Sequence, residues 1–304
     1  MNTTTSVMQT ERPADHSAMG LARTVLGLFK LRIGTLIMIT ALAGMAIASG
    51  PGLSKLQVLV LALSVLVASG SVGAFNQYHE AESDRLMART RGRAFASGTL
   101  RRSPLWLLVM AGLLAGAVST AALVLNPTSA FFIFLGAFFY GVVYTVWLKR
   151  RSWANIVVGG LSGSFAVLGG AAAVNPSLGA LPLLLALVLF LWTPPHFWSL
   201  AIAIRADYAA AGVPMLPVVV GAERAARIVN ANAIALVLAS LLPLLFGAGV
   251  VYGVGAVVGG VHFLRKTRAL ARSPSRATAM ASFFASMVQL SVLLAAVAFD
   301  AALR

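Results

Sequence analysis

The stretch Asn76-Gln-Tyr-His-Glu-Ala-Glu-Ser-Asp84 closes a long apolar run and contains three of the chain's eight acidic residues. A charge at the end of a membrane-like apolar segment is costly unless it serves a function. Asn76, Glu80 and Asp84 recur at every fourth position, so on a helix their side chains fall along one face. A run of arginines follows at once. The pattern predicts a row of oxygen ligands beside a row of cations.

The spacing of these oxygens suits Mg²⁺ bound to a diphosphate. At a rise of about 1.5 Å per residue, Asn76 and Asp84 lie roughly 12 Å apart and cannot share one ion, whereas neighbouring members lie roughly 6 Å apart. Mg²⁺ takes one or two oxygens from a protein and fills its other positions with water and substrate phosphates. We therefore predict a metal site at Asn76, Glu80 and Asp84, with Arg89 and Arg93 as donors to the diphosphate.

Composition predicts an all-α membrane protein. Hydrophobic residues make up 59% of the chain, charged residues 10%, and the mean hydropathy is +0.90. Repeated apolar windows of roughly 17–25 residues match the length of a bilayer-spanning helix, and the alternating pattern of a membrane barrel is absent. The chain has no cysteine, which excludes disulfides, a thiolate nucleophile and thiolate metal ligands.

We predict nine transmembrane helices, arranged as two related four-helix units plus one around a central cavity. The seventh and eighth come from one apolar run, Ile228 to Leu264, which is divided near Gly247 on length alone. The predicted spans cover roughly 33–50, 56–76, 104–124, 129–148, 154–174, 180–203, 229–247, 249–264 and 278–299.

The distribution of charge predicts the orientation. With the N-terminus inside, all Lys and Arg residues except Lys55 and Arg304 fall in the tail or in segments on the inner side. Such a bias marks the cytoplasmic side, so we expect a cytoplasmic N-terminus and an external C-terminus in a bacterial-type inner membrane. The net charge of +15 is then a topology signal, and we expect no nucleic-acid partner.

Domain organisation follows from the same pattern. We expect a disordered polar tail over residues 1–25, ending near a short interfacial helix, and a single domain over 26–304. Two long inner loops, 77–103 and 204–228, both carry acids and stand four spans apart. We expect them to form cytoplasmic caps over a shared cavity, because internally repeated units with a site at their junction are common in membrane proteins.

A second polar constellation lies at the end of the sixth span, in Leu191-Trp-Thr-Pro-Pro-His-Phe-Trp-Ser-Leu200. Pro194 and Pro195 are expected to break the helix and free backbone carbonyls. His196 is polar at membrane depth and is either functional or a hydrogen-bonded packing residue. Asp207, near the inner surface, is either the carboxylate of a second ion site or a helix cap.

The chain resembles the UbiA-type intramembrane prenyltransferases. One likeness is Asn76-x-x-x-acid-x-x-x-Asp84 followed by Arg89-Thr-Arg-x-Arg93. Another is Pro195-His-Phe-x9-Asp-Tyr-x-x-Ala-Gly-Val-Pro-Met-Leu-Pro-Val-Val219, which is similar to the branch that farnesylates heme b. Tyr144–Arg151 and Asn155–Gly160 extend the resemblance, which covers about residues 26 to 225.

The resemblance implies a nine-helix bundle, Mg²⁺, farnesyl diphosphate as donor and heme b as an acceptor that enters from the lipid bilayer. The products would be heme o and pyrophosphate, and the expected partners are heme-handling or terminal-oxidase assembly proteins. The implied roles are metal ligation by Asn76, Glu80, Asp84 and Asp207, diphosphate binding by Arg89, Arg93 and Lys149, and acceptor binding by His196, Arg32 and Tyr208.

The chain departs from the family pattern at three places. Glu80 and Glu82 stand where Asp is usual; Glu82, off the ligand face, is expected to pair with neighbouring arginines. Leu31 stands where Pro is usual. The segment Ser164-Phe-Ala-Val-Leu-Gly-Gly170 replaces a stretch with Pro-Pro and Gly-Trp, and because we expect this segment to shape the acceptor pocket, acceptor identity stays open.

Three other functions remain open at this stage. A prenyltransferase for an aromatic or quinone-precursor acceptor would share the metal and diphosphate residues. A transporter would also use broken helices and polar groups at membrane depth, although the acids gather at one membrane face. A non-catalytic paralogue would retain diphosphate binding without turnover.

Overall fold

The computed structural model describes residues 18–303, with side chains from residue 23 onward. The polar tail predicted for residues 1–25 therefore lies, up to residue 17, outside the described residues. Across the described part every regular element is helical, which confirms the all-α prediction.

Fourteen α-helices follow one another within residues 18–303, together with a π-helix after α6 and a 3₁₀ segment after α12. Their bounds are α1 Ala18–Leu28, α2 Leu31–Ile47, α3 Lys55–His79, α4 Ala81–Arg85, α5 Pro104–Val124, α6 Pro127–Phe138, π-helix Phe139–Leu148, α7 Asn155–Gly159, α8 Leu161–Val174, α9 Ala180–Ala203, α10 Arg205–Ala210, α11 Leu216–Val220, α12 Ala222–Ala239, 3₁₀ Leu242–Phe246, α13 Val250–Arg272 and α14 Arg276–Ala302.

Each predicted span overlaps a helical segment, and seven segments of the described chain are long and apolar enough to cross a membrane. Large apolar side chains such as Leu123, Leu245 and Val250 are 79–87% exposed, as expected for helices that face lipid. The protein is therefore an integral membrane protein.

Of the remaining two predicted spans, α2 is only 17 residues long and α13 ends in a basic stretch. The seven segments are 55–79, 104–124, 127–148, 155–174, 180–203, 222–246 and 276–302.

The division of the Ile228–Leu264 run near Gly247 is confirmed. The 3₁₀ segment ends at Gly247, whose φ of 95° lies in the left-handed region that favours glycine. The Asp300 carboxylate of α14 then accepts hydrogen bonds from the backbone N–H groups of Gly249, at 2.9 Å, and Tyr252, at 3.3 Å. These bonds satisfy orphan donors at the start of α13 and fix where that helix begins.

The predicted break at Pro194 and Pro195 is wrong, because α9 continues through both prolines. Each proline lacks the N–H that would bond to the preceding turn. Nearby hydroxyls hydrogen-bond to carbonyls of the same helix: Thr193 Oγ1 donates to the Leu189 carbonyl at 3.0 Å, and Ser199 Oγ donates to the Pro195 carbonyl at 2.6 Å.

The segment Ser164–Gly170 takes part in helix–helix contacts, and its role in shaping an acceptor pocket stays a prediction. A Cβ on Gly170 would lie 1.8 Å from the carbonyl oxygen of Ala41 in α2, so only glycine permits this approach. On another side of α8, Ser164 Oγ donates to the Ala186 carbonyl of α9 at 2.8 Å. Two residues of this segment thus pack α8 against α2 and α9.

Candidate active site

Asn76, Glu80 and Asp84 lie on one face where α3 passes into α4. Backbone hydrogen bonds continue through the junction, from Glu80 N–H to the Asn76 carbonyl at 3.0 Å and from Asp84 N–H to the Glu80 carbonyl at 2.8 Å. Each of the three residues is only 3% exposed. The predicted row of oxygens is therefore present and almost entirely enclosed.

Each of these three side chains is paired with a cation. Arg93 donates from Nη1 to both carboxylate oxygens of Asp84, at 2.8 and 3.0 Å. Lys149 Nζ forms an ion pair with Glu80. Lys30 Nζ donates to the Asn76 side-chain oxygen at 2.7 Å. We call these six residues the cation–oxygen cluster: Lys30, Asn76, Glu80, Asp84, Arg93 and Lys149.

The π-helix supplies the wall opposite α3. The Tyr140 hydroxyl accepts a hydrogen bond from Lys30 Nζ at 3.2 Å, and Thr145 Oγ1 accepts one from the Asn76 amide at 3.1 Å. The backbone N–H of Lys149 bonds to the carbonyl of Tyr144, five residues earlier, at 2.9 Å. This wide turn, of a kind frequent at functional sites, is what brings residues 140, 145 and 149 to the same site.

Burial favours the neutral form of both lysine side chains of the cluster, because it lowers their pKa values. It lowers the pKa of Lys30 to about 7, and the nearby positive charge of Arg93 adds to the effect. Burial also lowers the pKa of Lys149, although the Glu80 carboxylate opposes this shift. A buried neutral amine takes up a proton more readily when an anion lies nearby. An added anionic ligand would therefore be held by Lys30, Arg93 and Lys149 in their charged forms.

The second inner loop contacts the first through Tyr208, which lies beside Arg89, and not through Asp207. Tyr208 is buried, burial raises the pKa of its phenol, and the Arg89 guanidinium beside the hydroxyl opposes that shift. Asp207 is half-buried and has no hydrogen bond or ion pair to the cluster within residues 23–303. Arg32 is exposed and likewise makes no such contact in that range.

The predicted salt-bridge role of Glu82 is confirmed. Its carboxylate accepts from Arg85 at 3.1 Å and from Arg102 at 2.7 Å, and its side chain is 57% exposed. Exposed pairs of this kind contribute little to stability. Glu82 thus lies outside the cluster, although it is only two residues from two of its members.

His196 lies in a separate polar contact between α9 and α14. Its Nδ1 is 2.7 Å from Ser286 Oγ, and its ring is stacked between Trp192 and Phe283, with centroids 4.2 and 4.5 Å away. The Ser286 hydroxyl donates to the Phe283 carbonyl at 2.6 Å, so its oxygen accepts from Nδ1–H. This assignment leaves Nε2 as the unprotonated nitrogen.

Sequence reasoning missed Lys30, Tyr140 and Thr145. Lys30 lies at a break between α1 and α2 and adopts φ 47°, an uncommon left-handed conformation for a residue other than glycine, often associated with function. A lysine next to a membrane-length apolar run was the available signal. Tyr140 and Thr145 lie inside an apolar run and gave none.

The oxygens of the cluster fit a hard divalent cation. Two carboxylates and one amide are all oxygen donors, as Mg²⁺ prefers. Within the described residues, no group of three or more His, Asp or Glu side chains gathers around one point. The protein alone therefore offers an incomplete ligand shell, which a diphosphate and water would complete.

This arrangement of paired cations and oxygens at the end of apolar helices is suited to binding Mg²⁺ and a diphosphate whose remaining part is apolar. Comparison with known proteins identifies the family. The sequence model of the UbiA prenyltransferase family matches residues 37–288. The chain belongs to this family.

Two curated relatives share about half of their residues with this chain. Protoheme IX farnesyltransferase 2 of Paramagnetospirillum magneticum is 53% identical over 275 residues, which is 90% of this chain and 96% of the relative. Protoheme IX farnesyltransferase 1 of the same organism is 46% identical over 280 residues, or 91% of this chain and 98% of the relative.

Solved UbiA-family structures have the same fold. A structure of digeranylgeranylglyceryl phosphate synthase is similar with a TM-score of 0.76 at 20% identity and covers 92% of this chain and 98% of its own. A UbiA homologue from Archaeoglobus fulgidus bound to DMAPP and Mg²⁺ has a TM-score of 0.68 at 15% identity, with coverage of 89% and 99%.

Proposed function

We propose that this protein transfers a farnesyl group from farnesyl diphosphate to a vinyl group of heme b, giving heme o and pyrophosphate. The cation–oxygen cluster, with three buried oxygens each paired with a cation, carries the proposal that an allylic diphosphate binds there. The names of the relatives that share about half of their residues with this chain support the choice of acceptor.

Diphosphate binding would reorganise the three cation pairs. Arg93, Lys30 and Lys149 would turn from protein oxygens to diphosphate oxygens, with Arg93 offering two parallel N–H donors. Asn76, Glu80 and Asp84 would then be free to hold Mg²⁺, and Asp207 is proposed for a second ion. The metal, when bound, supplies Lewis-acid stabilisation of charge on the leaving group. Arg89, in the loop at 77–103, lies next to Tyr208 of the loop at 204–228 and would donate to the diphosphate.

Group transfer then proceeds by exchange of one bond for another. The bond between C1 of the farnesyl group and the diphosphate oxygen breaks, and the diphosphate keeps the electron pair. A vinyl carbon of the porphyrin forms the new bond to C1, and the cation left on the vinyl group is quenched by water, which loses a proton. An apolar cavity would favour formation of the new carbon–carbon bond, because it excludes water from the allylic cation until the acceptor attacks.

His196 is proposed as an axial ligand of the acceptor iron. A ligating histidine needs an unprotonated nitrogen, and its other nitrogen usually donates to a nearby acceptor. The Ser286 contact supplies that arrangement. Because both faces of the ring are covered by aromatic side chains, an iron would approach the ring edge at Nε2. Tyr208 and the exposed Arg32 are proposed as further acceptor contacts, the latter to a propionate.

The finer topology is also a proposal. We infer that all nine helical segments cross the membrane, with residues 26–304 as one domain, a cytoplasmic N-terminus, an external C-terminus and loops 77–103 and 204–228 as cytoplasmic caps. Support comes from the position of nearly all Lys and Arg residues and from Trp147 and Trp153, which are 56% and 45% exposed beside the basic turn at 149–151. In a bacterial cell this places the protein in the inner membrane, where heme-handling or terminal-oxidase assembly proteins would receive the product.

A turnover assay tests the proposal directly. Purified protein in lipid is given heme b, farnesyl diphosphate and Mg²⁺, and the porphyrins are separated by chromatography and identified by mass. We expect heme o to form and to disappear when a chelator is added. Pyrophosphate release that requires an aromatic acceptor and gives no heme o would move the acceptor assignment to the quinone-precursor branch, whereas diphosphate binding without any product would indicate a non-catalytic paralogue.

A further inference from the structure

A cavity of about 530 Å³ lies between the start of α12, α11, the end of α9 and the turn before α7. Its volume is within the range of small-molecule sites. Apolar side chains form most of its wall, and its polar groups are few. The lining residues are Trp153, Val157, Trp198, Leu216, Val220, Arg224, Ile228 and Asn232.

Two polar atoms of this wall have no hydrogen-bond partner among the described residues. Trp198 is 3% exposed, yet its Nε1–H is unpaired, and the side-chain oxygen of Asn232 is also buried and unpaired. Buried polar groups are nearly always satisfied in native structures. An unpaired N–H donor and an unpaired amide oxygen on the residues of one cavity therefore point to a ligand with polar atoms.

The polar groups are spread along the depth of the membrane. Arg224, Ile228 and Asn232 recur at every fourth position and so line one face of α12. At about 1.5 Å per residue, Arg224 and Asn232 lie roughly 12 Å apart along the helix axis. Arg224 is exposed at the helix start, so the cavity has a cation at its outer end and uncharged hydrogen-bonding groups farther in.

This cavity is distinct from the cation–oxygen cluster. No hydrogen bond or ion pair of the cluster involves a cavity-lining residue within residues 23–303. Trp198 and Leu216 belong to a buried core that also includes Met87 and Tyr208.

We propose that the cavity is a binding site for one anionic phospholipid of the surrounding bilayer. Its phosphate would pair with Arg224, since basic pockets at the cytoplasmic side of membrane helices bind anionic headgroups. The Trp198 N–H would donate to an ester carbonyl below the phosphate. Rotating the Asn232 side-chain amide by about 180° exchanges its oxygen and its NH₂ group. The NH₂ group would then donate to the second ester carbonyl. The acyl chains would follow Val220 and Ile228 toward Ile234 and Leu238, which are 44% and 62% exposed.

Lipid titration of the full-length protein, followed by native mass spectrometry, tests this site. The probes are phosphatidylglycerol and phosphatidylcholine with the same acyl chains. We expect one tightly bound phosphatidylglycerol, and we expect Arg224→Gln to weaken its binding about fivefold, the loss of one basic side chain near the surface. Trp198→Phe, which keeps a ring but removes the N–H, should also weaken it.

Arg227→Gln is the matched control, because Arg227 is exposed on the same helix and does not line the cavity. It should leave phosphatidylglycerol binding unchanged. Equal losses in the Arg224 and Arg227 variants would overturn the proposal, since they would show only diffuse attraction to basic helices. Equal binding of phosphatidylcholine, or displacement of the lipid by heme b, would overturn it too, the latter by assigning the cavity to the acceptor.

Discussion

Lys30 is a residue whose charge depends on what occupies the site. Its ammonium group bonds to Asn76 and to the Tyr140 hydroxyl, and burial lowers its pKa to about 7. In the free protein above pH 7 the lysine is mostly neutral, whereas a bound diphosphate favours the charged form. Binding is therefore coupled to a proton.

We expect diphosphate binding at pH 8 to take up about one proton, because a group with a pKa near 7 is largely deprotonated there. Calorimetric titration in buffers with different ionisation enthalpies measures this number. Lys30→Arg, which stays charged, should bind with no such uptake. A wild-type protein that takes up no proton would contradict the lowered pKa.

The same shift has a consequence for stability. Since the unfolded lysine binds its proton up to a pH near 10.5 and the folded one only up to about 7, the unfolded state holds more protons in that window. The contribution of Lys30 to stability therefore rises with pH between these values. Thermal unfolding of the ligand-free protein at pH 7 and pH 9 should show this rise, and Lys30→Met should reduce the difference.

Asp84→Asn is expected to lower kcat at least about a hundredfold, the scale of losing one group that stabilises transition-state charge. Asp84 is 3% exposed and both of its carboxylate oxygens accept from Arg93 Nη1, so circular dichroism must show that the variant is folded. Glu82→Gln is the control, because Glu82 is acidic, two residues away and mostly exposed. Near-normal turnover of the Asp84 variant would show that Asp84 is not a functional member of the metal–diphosphate site.

Ser286 is expected to act as a positioning residue for His196. Ser286→Ala removes the acceptor of Nδ1–H, and loss of such a partner typically weakens metal binding 10–100-fold. The Soret band of bound heme b reports ligation, and KM for heme should rise more than kcat falls. Ser282→Ala, one turn away and paired with Ser199, should leave the band unchanged. An unaltered spectrum in both His196→Ala and Ser286→Ala would exclude His196 as a ligand.

At the scale of single elements, apolar length and glycine placement predict helices well but do not reveal which hydrogen bonds close them. The division at Gly247 followed from length, and Asp300 of a distant helix fixes it. The expected break at Pro194 and Pro195 did not occur, because α9 keeps its helical course through both prolines. The π-helix was not predictable, because its residues are as apolar as those of an α-helix.

The candidate site divides in the same way. Asn76, Glu80 and Asp84 were predictable because scarce polar residues recur at helical spacing within one segment. Lys30 and Tyr140 join them only through contacts between distant parts of the chain: Lys30 lies 46 residues from Asn76 and 110 residues from Tyr140. Sequence spacing carries no information about such pairs.

The contact between α13 and α14 contains a polar group without a partner. Gln289 is fully buried, and both atoms of its amide lack hydrogen bonds among the described residues. A buried unsatisfied group costs about 1–3 kcal/mol, so Gln289→Met, of similar shape, should raise stability by about that amount. Thermal unfolding in detergent measures it. A loss of stability or of turnover would mean that the amide contacts a water or a substrate.

At the scale of the whole molecule, the placement of basic residues and the apolar surface determine how the protein lies in the bilayer. Basic segments follow every second predicted span, and exposed leucines, valines and phenylalanines cover the helices between them. This arrangement gives a stable orientation.

The absence of cysteine from the chain allows this orientation to be tested with single introduced thiols. Ser97 and Ser177 are both exposed and lie in loops at opposite predicted faces. In intact cells a membrane-impermeant maleimide should label Ser177→Cys, and it should label Ser97→Cys only after the membrane is opened. Labelling of both sites in intact cells would exclude the nine-span topology with a cytoplasmic N-terminus.

The π-helix makes the function of the protein unusually sensitive to the number of residues in the segment 139–148. Loss of a single codon within 139–148 would leave a hydrophobic stretch of nearly the same composition, and the protein would still insert. The shorter stretch could close as an ordinary α-helix, in which each residue turns the chain by about 100°, and Lys149 would no longer point at Glu80. Screens of insertions and deletions should therefore find in-frame losses in this stretch that abolish function, although most single substitutions of its lipid-facing residues, such as Val142 and Val146, are tolerated.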